Sequence, residues 1–236
     1  MMGTRIVIKK NGRDEAEKPF WISFADLMTA LMVLFLVVMG VALLAVTKTV
    51  TERERREEQY RKDIELILER FIEAARKYDG IKIDKDRRVI DFGDRARFAF
   101  AKWSLAPEQE AVLRQFVPEI ITLANDDLGK RVLKRIVVEG YTDKTGSYLA
   151  NLNLSLQRSQ RVLCAMFATT GLNLLTDDLK EEVRNLFLVG GYSFNAAKET
   201  DEESRRVEMR LEFLGLDEKR PAPPAAPGNF GECALR

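Results

Sequence analysis

From Phe20 to Val46 the chain is apolar on every side, and Asp26 is the only charged residue in those 27 positions. A helix of that length is roughly 40 Å long, enough to cross a hydrocarbon core of about 30 Å with some tilt. The pattern predicts one membrane-spanning helix over 20–46. The run is too long for a signal-peptide core and lacks an Ala-x-Ala-like end, so it reads as a retained anchor. Small and polar residues gather near its start: Ser23, Ala25, Asp26, Thr29 and Ala30. Ala25, Asp26, Thr29 and Ala30 recur at helical spacing and form one narrow face, which suits close approach of a partner helix in lipid. A carboxylate at the bilayer centre costs about 2.5–3.5 kcal/mol. Two readings of Asp26 stand side by side. It is a proton-binding group in an ion path, or a carboxylate at the membrane surface paired with a headgroup or a neighbouring Lys.

The pattern changes after Val46. Residues 47–80 open on a mixed charge run, and Ile64, Ile67, Leu68, Phe71, Ile72 and Ala75 then recur at 3.6-residue spacing. That stripe predicts a helical neck, serving either a two-stranded seam or packing on the following domain. Gly80 is its expected C-cap. Residues 81–214 read as one α+β domain, a small mixed sheet with helices on one side. A hairpin is expected over 81–84 and 89–92, with an extended stretch over 97–103. A helix runs from Pro107 to about Ala124 with Pro118 inside it. A strand covers 135–140, a helix runs from Asn151 to about Thr169, and strands cover 186–189 and 205–213. Residues 1–19 are a short polar tail or a strand over 5–9. Residues 215–236 are rich in Pro and Ala and read as a mobile tail.

Composition trims the possibilities. Net charge is +1, so there is no basic excess for direct nucleic-acid binding. The chain has no His and two Cys, which removes the commonest general base and leaves too few ligands for a structural zinc site. No catalytic set, metal site or cofactor is predicted, and a wall-cleaving enzyme is a poor fit. Lys and Arg flank the apolar run on both sides in similar numbers, so charge alone does not orient it.

Three separated motifs in the second half carry a resemblance. They are Val138-Glu-Gly-Tyr-Thr-Asp-Lys-Thr-Gly146, Asn151-x-x-Leu154-Ser155-x-x-Arg158, and Arg205-Arg206-Val207-Glu208. In order and spacing they resemble the OmpA-like peptidoglycan-binding domain. Tyr141 stands where that family usually has His, and Ser159 where it usually has Ala. An Asp at a turn and an Arg on the facing helix, one ligand apart, suit a zwitterion. The resemblance implies that Asp143 takes the amine of a diaminopimelate stem peptide and Arg158 its carboxylate. Thr142 and Asn151 would add hydrogen bonds, and Leu154 would shape the pocket wall. The plain alternative is an internal Asp–Arg pair that ties loop to helix. One of Arg205 and Arg206 is expected to border the site and the other to be structural.

At the other end, Trp21, Ala25, Asp26, Met28, Thr29, Ala30 and Met32 fall in register with the pattern of MotB-like stator B subunits. That resemblance implies a single inner-membrane crossing, N-terminus cytoplasmic, and a periplasmic C-terminal domain. It implies a proton rather than sodium on Asp26, with Thr29 beside it. It also implies lipid around the helix, a self-dimer, and a multi-spanning MotA-like partner in a five-to-two complex. The short, linker-poor layout is most similar to ZorB, the B subunits of the Zorya anti-phage defence systems. A flagellar-type stator subunit and a passive wall tether are the alternatives. In the periplasm disulfides persist. Cys164 and Cys233 would then form a bridge pinning the tail, or Cys164 is a small buried hydrophobe.

Overall fold

The computed structural model describes residues 14–223 and 229–235, with residues 14–20 as backbone only. The expected tail or strand over 5–9 lies outside them, as does 224–228 of the Pro-Ala run. The chain divides into two compact units, Met1–Arg56 and Glu57–Arg236.

The first unit is helical throughout its described part. Helix α1 spans Asp14–Ala75, 62 residues. It starts upstream of Lys18-Pro19, so the expected boundary at Phe20 moves back by six residues. Every side chain from Trp21 to Val50 is exposed. An apolar surface of that extent is unfavourable in water, at about 25 cal/mol per Å². By length and apolarity α1 is able to cross a membrane.

The second unit takes the end of α1 as part of its core. Ile64, Ile67, Leu68, Phe71, Ala74 and Ala75 are buried in one cluster with the sheet and helices. The stripe in the neck therefore packs on the following domain, and residues 57–75 are not a spacer. Arg131 bonds Asp63 at 2.9 Å and Arg70 bonds Asp126 at 2.6 Å. Gly80, at φ +86°, turns the chain into the sheet.

Five strands follow: β1 (Lys82–Asp84), β2 (Val89–Asp91), β3 (Leu133–Gly140), β4 (Phe187–Gly191) and β5 (Val207–Phe213). Their order is β1-β2-β5-β3-β4. Only β3 and β4 are parallel; the other neighbours are antiparallel. The principal helices are α2 (Pro107–Asn125) and α4 (Tyr148–Phe167), with shorter α3 (Asp127–Val132), α5 (Asp177–Leu186) and α6 (Asp201–Ser204). Pro118 lies within α2 without ending it. Ile136 and Val138 of β3 and Val207, Met209 and Leu211 of β5 face the helices and join the core. This is the expected one-sided α+β sandwich. The predicted extended stretch over 97–103 is only partly so. Arg97 bridges Arg206, after which Lys102 N–H bonds Ala99 O at 3.1 Å to close a turn.

The opposite face of the sheet is sealed by its own long side chains. Glu139 and Glu208 are register partners on β3 and β5, and both are fully buried. Arg210 Nε and Nη2 hold Glu139 at 2.6 and 2.9 Å, and Tyr141 Oη donates to it at 2.6 Å. Arg206 and Arg87 hold Glu208 at 2.7 and 2.6 Å. Burying carboxylates is tolerable only with such complete pairing.

The expectation of a free tail is corrected for its described residues. The Arg220 guanidinium donates to the carbonyls of Leu133, Ala124 and Gly129 at 2.9, 2.8 and 3.0 Å. Phe230 stacks on Phe167 at 4.9 Å, and Cys233 is joined to Cys164 by a disulfide. Composition spoke against a core in this segment, but a few anchoring side chains suffice to hold it.

Candidate functional site

Two sites come from the sequence, and each belongs to one unit. On α1, Asp26 shares a face with Ser23, Leu27, Ala30, Leu31 and Leu34. Thr29 Oγ1 donates to the Asp26 backbone carbonyl at 2.8 Å. That bond fixes the hydroxyl one turn from the carboxylate and leaves its oxygen able to accept. Among the described residues none donates to the Asp26 carboxylate. The small side chains of Ser23 and Ala30 leave room beside it for an approaching helix.

The second site sits at the C-terminal ends of β3 and β4. Close packing of α4 on β3 positions it. A Cβ on Gly140 would stand 1.9 Å from Ser155 O, so only glycine allows this approach. Ser147 caps α4 by accepting from Ala150 N–H at 3.4 Å. Asn151 is buried and donates to Thr145 O and Ser147 O at 2.9 and 3.2 Å. Its amide nitrogen thus ties down the loop before α4. Leu154 is half-buried.

Arg158 is fully buried. Its guanidinium donates to Lys102 O, Tyr141 O and Ala99 O at 2.9, 2.6 and 3.4 Å. It also lies over the Phe98 ring at 5.0 Å. Three of its five N–H donors are thereby taken. Burial lowers its pKa to about 10, against the pull of Asp143 in the other direction. It stays charged at neutral pH.

The ion-pair partner of Asp143 is Arg205 rather than the Arg158 of the plain alternative. Asp143 Oδ1 accepts from Thr145 N–H at 3.0 Å, and its Oδ2 from Arg205 Nη1 at 3.3 Å. Arg205 also donates to Phe98 O at 3.2 Å and keeps 17% of its side chain exposed. Arg206 is buried against Glu208 and stacks over the Tyr141 ring at 4.2 Å. Arg205 therefore borders the site and Arg206 is structural. Thr142 Oγ1 is buried and has no hydrogen-bond partner among the described residues. A buried hydroxyl without a partner costs free energy unless water or a ligand meets it.

Glu139 was not singled out from the sequence. Its signal was present: an acid one step out of phase with the core positions Ile136 and Val138, in a chain whose last strand carries Arg210.

A family model described as the membrane MotB of the proton-channel complex MotA/MotB matches residues 8–50. The Zorya protein ZorB of Escherichia coli O139:H28 is 44% identical over 223 residues, covering 93% of this chain and 91% of that protein. The chain belongs to the ZorB family. It is a stator B-type subunit with, among the described residues, one helix long and apolar enough to cross a membrane. Among solved structures, the periplasmic domain of Helicobacter pylori MotB is 17% identical, covering 58% of this chain and 90% of that one, at a TM-score of 0.40. The OmpA-like domain of FopA1 from Francisella tularensis is 18% identical, covering 54% and 75%, at 0.36. Neither of these two likenesses is strong enough to carry a binding residue across.

Proposed function

We propose that this ZorB-family chain is the proton-conducting, wall-anchored subunit of an ion-driven rotary complex serving anti-phage defence. The single observation that carries the reading is Asp26, the only charged residue from Phe20 to Val46, on a helix matched by the MotB proton-channel family model. The N-terminus is cytoplasmic and the C-terminal domain periplasmic. Two copies pair inside a ring of a multi-spanning MotA-like partner, in a two-to-five ratio, with lipid outside. Asp26 takes a proton from the periplasmic side and releases it to the cytoplasm. Neutralising the carboxylate removes the cost of a charge in a low-dielectric site, which lets that helix face exchange contacts with the partner. Thr29, one turn away, is the neighbour able to accept a hydrogen bond from the protonated acid.

The C-terminal domain holds peptidoglycan, so that torque falls on the partner ring. Asp143 meets the stem-peptide amine, exchanging with its pair to Arg205. The carboxylate meets the cationic side formed by Arg158 and the partly exposed Arg205. Thr142 Oγ1 supplies a hydrogen bond that none of the described residues uses, while Asn151 and Leu154 hold the loop and wall. The test is a phage-challenge assay with two variants. Asp26→Asn and Asp143→Asn are each expected to abolish protection at normal protein level, the second with loss of sedimentation on purified sacculi. Protection retained in Asp26→Asn would leave only a passive tether. A flagellar-type role predicts that the gene restores swimming to a stator-deficient strain, and no such rescue is expected.

A further inference from the structure

The stem-peptide site has an uncharged margin made by two loops. One covers 144–147 and leads into α4 at Tyr148; the other covers 192–197 and follows β4. Residues 145–157 and 187–197 contain no charged residue, in a chain with 38 basic and 37 acidic residues.

Ser193 locks the two loops together. Its N–H donates to Ser155 Oγ at 3.1 Å, its carbonyl accepts from Thr142 N–H at 2.9 Å, and its Oγ donates to Tyr148 O at 3.1 Å. It is fully buried, and its φ is +55°. A residue with a Cβ keeps that left-handed conformation only where its surroundings hold it, and such strain gathers at ligand clamps. The next two residues complete the margin. Phe194 meets Tyr148 edge to face, with ring centroids 5.7 Å apart. Asn195 Nδ2 donates to Tyr148 Oη at 3.3 Å, and among the described residues none donates to Asn195 Oδ1. Tyr148 is still 44% exposed. A ring braced by a second ring and by an amide is held still while much of its surface meets solvent.

We propose that this margin binds the sugar strand of peptidoglycan, with a pyranose ring stacked on Tyr148 and an acetamido or hydroxyl group bonded to Asn195. The inference rests on the reading that Asp143 and the arginines beside it hold a stem peptide, and it extends that site from peptide to glycan. Stem peptides branch from the sugar strand, and Thr142 is bonded directly to the loop that carries Phe194 and Asn195. The sugars are N-acetylated and join the peptide through an amide, so they are uncharged, as the margin is. The ionic ends of the peptide belong to Asp143 and the arginines. A pyranose presents C–H groups on its face, which suit the negative face of an aromatic ring, and polar groups at its rim, which suit a tyrosine hydroxyl and an amide.

The experiment uses the full chain purified with its membrane partner. Two soluble fragments are titrated by calorimetry: a stem tripeptide ending in diaminopimelate, and the same tripeptide on its disaccharide. The parent chain is expected to bind the disaccharide form at least fivefold more tightly. Tyr148→Leu keeps an apolar contact for Phe194 and is expected to abolish that advantage, with tripeptide affinity changed less than twofold. Tyr148→Phe keeps the ring and is expected to retain most of the advantage. Equal affinity of the parent for the two fragments, or an advantage that survives in Tyr148→Leu, would overturn the glycan subsite while leaving the peptide site standing. Binding of neither fragment by the parent would instead overturn the wall-binding reading, and the subsite with it.

Discussion

Asp26 stands on a helix face where, among the described residues, nothing donates to its carboxylate. In the other unit, Asp143 has both oxygens engaged by Thr145 and Arg205, and Arg158 is gripped by three backbone carbonyls. The same chain holds one acid unfinished and the other finished. The lesson is about where each site gets its missing parts. On the proposed reading, the ion-path residue is completed by a second chain, which fits its small neighbours and open space. On the proposed reading, the wall-binding site holds its shape alone under load, which fits its pre-paired charges and the loops tied to buried side chains.

The comparison breaks most visibly at Arg158. Arg158→Ala strands the carbonyls of Ala99, Lys102 and Tyr141 in the interior and leaves a cavity. A loss of about 3–5 kcal/mol is expected, as for removal of one partner from a buried charged network. That corresponds to a fall in melting temperature of roughly 10 °C for a unit of this size. Arg158→Lys is expected to rescue little, because one ammonium does not reach three carbonyls in a plane. Wild-type melting of Arg158→Ala would make Arg158 a binding group only, with no part in holding the site. Asp143→Asn is the contrast, expected to leave melting within a degree or two while sacculus binding falls.

A smaller effect concerns the place where the neck joins the core. Burial opposes ionisation of Asp63, but hydrogen bonds from Arg131 and Gln59 outweigh it and hold the acid below the usual carboxylate range. A depressed folded pKa gives stability that is present above the unfolded value, near pH 4, and lost as pH falls through the folded value. Asp91 behaves alike: burial opposes its ionisation, and Lys198 and Gly93 N–H outweigh that. Acid titration of unfolding is therefore expected to be shallower below about pH 4 in Asp63→Asn than in the parent chain. An unchanged slope would mean that the Asp63–Arg131 pair does not couple the neck to the domain.

The long periodic elements were legible in the sequence, and the short polar ones were not. The run over 20–46, the stripe from Ile64 to Ala75 and the alternation of Val207, Met209 and Leu211 follow from burial alone, and burial leaves a period. Helices α3 and α6 are short and marked by their caps Asp126 and Thr200, and α5, capped by Thr176, shows only three apolar positions, Leu179, Val183 and Leu186, among charged ones. Of the second site, the meeting of loop and helix was readable from Asp143 and Arg158. The identity of Asp143's partner was not, since the pairing depends on how β5 lies beside β3. Likewise the tail looked free because composition counts apolar residues and does not see one Arg finding three helix-end carbonyls.

The central claim is that Asp26 carries the proton. The most direct measurement is proton flux through the chain and its MotA-like partner, co-reconstituted in liposomes with an imposed pH gradient. Flux is expected in the parent complex, absent in Asp26→Asn, and retained in Asp26→Glu at a reduced rate, with all three assembling alike. Flux in Asp26→Asn equal to that of the parent would contradict the account.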